Sequence, residues 1–122
     1  MNETTTNKGA FRFAYFTDKY QETCDFYTYQ LELAVDKSWD RDENSKGSVF
    51  KAGVGLIEVL HLPSDKGVKN AGLDYRVPQG AFMVIQVWDI DERYKNYKNK
   101  GVNFKQEVVD QVWGHRSFSI TD

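Results

Sequence analysis

The chain is short of nearly everything on which common catalytic centres are built. It holds one cysteine, Cys24, so no internal disulfide can form and a reducing compartment suits it. Two histidines, His61 and His115, are few donors for a transition metal, which needs three or four. With 16 Lys and Arg against 18 Asp and Glu the net charge is −2, which leaves no basic footprint for nucleic acid. That mild acidity tolerates a cationic ligand without demanding one. No run approaches the roughly 18 apolar residues of a membrane span, and the start MNETTTNKGA carries no apolar signal core. The expectation is a cytosolic protein with neither nucleic acid nor membrane as a partner.

What the chain does have is aromatic surface. Eight Phe, seven Tyr and three Trp make 15% of its 122 residues, enough for a dense core or for a pocket with stacking faces. The length predicts one domain, or two small repeats sharing a core, able to bury about two-thirds of the unfolded surface.

Periodicity divides the chain into two similar halves. After a polar tail over residues 1–10, FRFAYF (11–16) alternates as a strand does. Thr17 or Asp18 can cap a helix in which Phe26, Tyr27 and Leu31 share one face. AVDKSWDRD (34–42), GSVFKAG (47–53) and GLIEVLHL (55–62) then read as three strands. Both prolines lie in 63–80, which has the composition of a linker between a first repeat, 11–62, and a second, 81–122. AFMVIQVW (81–88) reads as a nearly continuous buried strand. Asp89 or Asp91 offers an N-cap to a helix with Ile90, Tyr94 and Tyr97 in one stripe, and Gly101 is a natural stop. VNFKQEVV (102–109) and WGHRSFSIT (113–121) supply two more strands. The second half thus repeats the first, one strand short.

That doubled unit, with the phrases DFYTYQLEL (25–33), VIQVWDIDERYKNYKNKGV (84–102) and WGHRSFSITD (113–122), resembles the vicinal-oxygen-chelate superfamily of glyoxalases, bleomycin-resistance proteins and extradiol dioxygenases. The resemblance implies an α+β fold of two βαβββ-type repeats, a cupped sheet with its helices outside. Relatives continue beyond the final Asp into a last strand lying between the first and third strands of the repeat. The expectation here is therefore a slot between 81–88 and 113–121, which either closes as 113–121 pairs directly with 81–88 or, the favoured outcome, is filled by a partner copy, with the Met1–Gly9 tail a candidate filler. A buried unpaired backbone group costs roughly 1–3 kcal/mol, so such a slot should not stay open.

In metal-dependent relatives four ligands, mostly His and Glu, meet on the concave face. The resemblance lays the first on Arg12, the second on Glu58, the third on Phe82 and the fourth beyond residue 122. Arg12 is a permanent cation and Phe82 has no lone pair to give, so neither a metal nor another cofactor is expected. An Arg12–Glu58 ion pair could fill the lost metal's volume, and losing Glu58 would strand the cation. Alternation puts Phe82, Val84, Gln86 and Trp88 on the concave side. Trp113 matches a groove tryptophan of the bleomycin-resistance-like branch, Trp39 sits at the outer edge, and Phe50, Ser117 and Ser119 complete the expected lining. Cys24 reads as a bystander thiol, and Lys95, Lys98 and Lys100 as a solvated helix face.

The expectation is an aromatic-lined cup that binds or sequesters a flat, drug-like and cationic-tolerant small molecule without transforming it, in a homodimer. Its rivals are a metal-dependent or metal-free lyase, isomerase or dioxygenase with Glu58 as base, and an interaction module whose cup is filled by side chains.

Overall fold

In the computed structural model, residues 9–64 and 75–121 are described. Most of the expected tail and of the expected linker lies outside them. β1 (Arg12–Thr17) leads into a short helix, α1 (Tyr20–Asp25), which widens into a π-helical turn over Phe26–Gln30. β2 (Val35–Asp42), β3 (Ser45–Ala52) and β4 (Gly55–His61) follow. After the linker come α2 (Ile90–Asn99), β5 (Phe104–Asp110) and β6 (Arg116–Ile120). The fold is mixed α+β, with one four-stranded sheet in the order β1-β4-β3-β2 and a two-stranded sheet, β5-β6.

In the first sheet β4 lies between β1, to which it is parallel, and β3, to which it is antiparallel. Strand periodicity then sorts the side chains. Phe13, Tyr15 and Thr17 of β1, Ile57 and Val59 of β4, and Ser48 and Phe50 of β3 face α1 and the π turn. Tyr15 and Tyr27 share a hydroxyl hydrogen bond of 2.9 Å, and Thr17 and Thr23 another of 3.0 Å. Thr17 Oγ1 also accepts from the Lys19 N–H, so it organises the turn before α1 rather than capping the helix itself. The π turn brings Phe26, Tyr27 and Leu31 inward together, with the Leu31 N–H donating to the Phe26 carbonyl at 3.0 Å.

One core joins the two halves. Phe26, Tyr27, Leu31, Phe50, Ile57 and Val59 cluster with Tyr97 of α2 and Val102 beyond it. The Tyr97 hydroxyl reaches the Leu31 carbonyl at 3.5 Å. Lys100 was expected on a solvated face. Instead its ammonium donates to the Tyr29 carbonyl at 2.9 Å and pairs with Glu32, tying α2 to the π turn. Lys98 pairs with Glu107 at 2.6 Å and sits over the Tyr94 ring. Under α2, Tyr94, Phe104 and Phe118 pack with ring centroids 4.9–5.6 Å apart. Gly101 takes φ +78°, the left-handed conformation that ends a helix without a Cβ penalty.

The largest departure from the expected fold is at 81–88. This segment is neither a strand nor buried. Among the described residues none of its backbone groups has a backbone partner, and β6 carries a partner on one edge only. A strand is defined by its ladder, so an apolar segment with no neighbour beside it stays unpaired however strong its propensity. Its alternation survives: Phe82, Val84 and Trp88 are 81–103% exposed, whereas Met83 and Ile85 are about 40% exposed and Val87 less still. The two-stranded hairpin also begins later than expected, because Trp113 and Gly114 form its turn.

Gly47 is a position where any side chain collides. A Cβ there would lie 2.5 Å from Trp39 Cζ2 and 3.0 Å from Leu60 Cδ2. Gly47→Ala is expected to lower stability by about 1 kcal/mol, because the indole must move off its seat. A urea midpoint matching the unsubstituted protein would show the Trp39 ring to be mobile.

Candidate functional site

The face of the first sheet opposite the helices carries Arg12, Ala14 and Phe16 from β1, Leu56, Glu58 and Leu60 from β4, and Val49 and Lys51 from β3. Arg12 Nη1 and Glu58 Oε1 lie 3.1 Å apart. The two partners are unequally covered, the Arg12 side chain being 37% exposed and that of Glu58 15%. Glu58 stands beside Val49, its register partner on β3, which is wholly buried. Trp39 closes over Gly47 at the β2 side, where it acts as a cover for the sheet rather than a free stacking surface.

Phe50 does not belong to this face. It points to the helix side, is 1% exposed and packs on Tyr27 with ring centroids 5.4 Å apart. The expected lining role is thus corrected to a core role. The reason is register: Phe50 pairs with Ile57, one residue out of step with Glu58.

In the second half, Phe82, Gln86 and Trp88 are all exposed and alternate along residues 81–88. Ser117 and Ser119 lie on the β6 face opposite Phe118, which packs under α2. Ser117 Oγ accepts from Gln111 Nε2 at 2.9 Å. Trp113 is 66% exposed in the β5–β6 turn.

A cavity of about 300 Å³ lies where β1 meets residues 77–83. Its wall includes Phe13, Tyr15, Thr17, Val77, Met83 and Phe82, of which only Phe82 was expected at a site. Arg12, Glu58 and the tryptophans do not line it. The aromatic alternation of FRFAYF was the signal for it, since an edge strand with rings on both faces leaves one row beside whatever runs along its open edge.

Other reactive groups are quiet. Burial pushes the Cys24 thiol up from its ordinary value, which keeps it protonated and a poor nucleophile at neutral pH. Burial likewise pushes the neighbouring Tyr20 phenol up to about 12; its hydroxyl hydrogen-bonds Ser48 Oγ at 2.6 Å. His61 stands edge-on to Tyr20 with a buried Nδ1 that has no hydrogen-bond partner among the described residues.

The family model described as Glyoxalase/Bleomycin resistance protein/Dioxygenase superfamily matches residues 9–122. The chain belongs to that superfamily. Similar solved structures share its fold. TioX from Micromonospora sp. ML1 is 15% identical with a TM-score of 0.65, over 93% of this chain and 89% of that one. A glyoxalase/bleomycin resistance protein/dioxygenase from Nocardioides is 15% identical with a TM-score of 0.69, over 91% and 74%. Lactoylglutathione lyase from Agrobacterium tumefaciens is 14% identical with a TM-score of 0.65, over 94% and 86%. Comparison with curated proteins found no match.

Membership of the superfamily raises the question of a divalent metal, and the residues present do not fit one. The two residues that the resemblance lays on the first and second ligand positions, Arg12 and Glu58, are an arginine and a carboxylate engaged with each other at 3.1 Å. Among the described residues no three His, Cys, Asp or Glu side chains are grouped so as to hold an ion. Nor is any helix of the described residues long and apolar enough to cross a membrane.

Proposed function

We propose that this superfamily member binds a flat, aromatic small molecule and holds it without transforming it, in the manner of a sequestering protein. The observation that carries the reading is the exposed row of Phe82, Val84 and Trp88 on one side of residues 81–88, with Trp88 wholly exposed. Large rings held in water have surface to give a ligand by stacking and desolvation. Arg12 and Glu58 would orient polar substituents, Glu58 also favouring a cationic one. Gln86, Ser117 and Ser119 would add neutral hydrogen-bonding groups, and Trp113 a second stacking face. Under this reading the partners are the small molecule and a second copy of the chain, with neither nucleic acid nor membrane involved.

The test is calorimetric titration with the planar cation 9-aminoacridine. Trp88→Ala is expected to weaken binding by about 1–2 kcal/mol, roughly tenfold, as for a stacking anchor. Affinity unchanged in both Trp88→Ala and Trp113→Ala would remove the aromatic row from the binding site and overturn the reading.

A further inference from the structure

The cavity of about 300 Å³ between β1 and residues 77–83 plays no part in the proposed stacking site, except that Phe82 stands in the wall of both. Its walls come from residues 13–23 and 77–83 alone. The volume lies at the small end of the roughly 300–1,000 Å³ range of small-molecule sites. One ring with a short polar head suits it better than a drug-sized molecule.

Much of the wall is apolar and already fixed. Phe13 and Tyr15, with ring centroids 5.9 Å apart, wall the cavity from β1, and Val77, Ala81 and Met83 from the other segment. The Tyr15 hydroxyl is held by that of Tyr27, and the Phe16 ring packs on Tyr75 with centroids 5.1 Å apart. Rings set in place beforehand lose little freedom when a ligand arrives. The Met83 thioether can rest on an aromatic ligand ring.

The polar wall is made of charge. Thr17 and Thr23 line the cavity, but their hydroxyls bond each other at 3.0 Å, and Thr17 Oγ1 also accepts from the Lys19 N–H. Asp18 and Lys19 line it too. Neither of these side chains has an ion-pair or hydrogen-bond partner among the described residues. Two opposite charges thus stand side by side without partners.

The backbone of β1 adds to them. Its one strand neighbour is β4, and the Phe11 and Thr17 carbonyls accept from the N–H groups of Leu56 and Leu62. Odd-numbered residues of β1 therefore turn their backbone groups to β4, and even-numbered ones turn theirs to the open edge. Phe16, which lines the cavity, is one of the latter. Among the described residues nothing in 77–83 bonds its N–H or carbonyl.

We infer that this cavity binds a zwitterion bearing a single aromatic ring, of the size and charge pattern of an aromatic amino acid. The ring lies between Tyr15 and Met83. The carboxylate meets Lys19 and the Phe16 N–H, and the ammonium meets Asp18 and the Phe16 carbonyl. An anion alone is repelled by Asp18 and a cation alone by Lys19. Only a ligand with both charges satisfies the set.

The test is an amide NMR titration with L-phenylalanine, which should give saturable shifts at residues 13–19 and 81–83. Lys19→Ala should weaken binding roughly two- to fivefold, as for an exposed ion pair, and leave the affinity for phenethylamine, which has no carboxylate, almost unmoved. Asp18→Asn should act in the mirror sense, weakening phenylalanine and sparing phenylpropanoate. Ala81→Trp, which fills the cavity from an exposed position, should abolish the shifts while the β3 and β4 amides keep their native positions. Trp88→Ala should leave phenylalanine affinity unchanged, so the failure of this site and that of the stacking site are distinguishable. Absence of saturable shifts up to the solubility limit of phenylalanine would overturn the inference. So would equal losses for phenylalanine and phenethylamine in Lys19→Ala, or binding lost in Trp88→Ala but kept in Lys19→Ala and Asp18→Asn.

Discussion

Phe50→Ala is expected to remove about 3–5 kcal/mol of stability, the cost of truncating a fully enclosed aromatic ring and leaving its cavity behind. Phe50 is 1% exposed, lies against Tyr27 and belongs to the cluster that joins both halves of the chain. Against the 5–15 kcal/mol that holds a typical domain together, the loss is a large fraction of the whole. Urea unfolding followed by circular dichroism measures it. The fraction that stays folded should bind 9-aminoacridine with unchanged affinity, because the ring never reaches the exposed face. A variant with an ordinary unfolding midpoint and lost ligand affinity would return Phe50 to the binding surface.

The Arg12–Glu58 pair carries the second large effect, and its asymmetry comes from burial. Sequence alone suggests that losing Glu58 strands a cation. In the folded protein Arg12 is already more than a third exposed and can turn its guanidinium to water, whereas Glu58 is far better covered and stands beside the enclosed Val49. Removing the arginine is therefore the more damaging change. Arg12→Leu should cost about 2–3 kcal/mol, somewhat below the figure for a wholly buried pair. Glu58→Gln should cost about 1 kcal/mol or less, as for an exposed ion pair. The double variant Arg12→Leu/Glu58→Leu should recover most of the loss, because no carboxylate is left unpaired. Equal losses for the two single changes, or strict additivity in the cycle, would mean that the contact contributes no coupling.

These two residues show how register governs what a side chain can do. Phe50 and Glu58 lie on neighbouring strands, and each has a sequence context that suits a lining role. A single step in the pairing of β3 with β4 sends one to the core and leaves the other on the open face. The aromatic content of the chain is therefore divided in a way composition cannot reveal. Tyr27, Phe50, Tyr94, Phe104 and Phe118 build the interior, while Phe82, Trp88 and Trp113 remain outside.

Much of the architecture was legible in the sequence because it depends on local pattern. Alternation located β1, β3, β4 and β6, three- and four-residue spacing located the Tyr94 and Tyr97 stripe of α2, and Gly101 marked its end for want of a Cβ. The Arg12–Glu58 contact followed from placing β1 beside β4. Local pattern could not say whether AFMVIQVW would find neighbours. Its composition encodes readiness to be a buried strand, but a strand forms only when another backbone lies about 4.8 Å away, and that depends on residues distant in the chain or on another molecule. Nor could it say that Lys100 would bind the Tyr29 carbonyl and Glu32 across the two halves, since those groups meet only once α2 has docked on the π turn. By itself the sequence determined which segments could be strands and helices and which of their faces were apolar. The tertiary structure decided which faces were covered, because burial and hydrogen bonding are properties of neighbours and not of a segment alone.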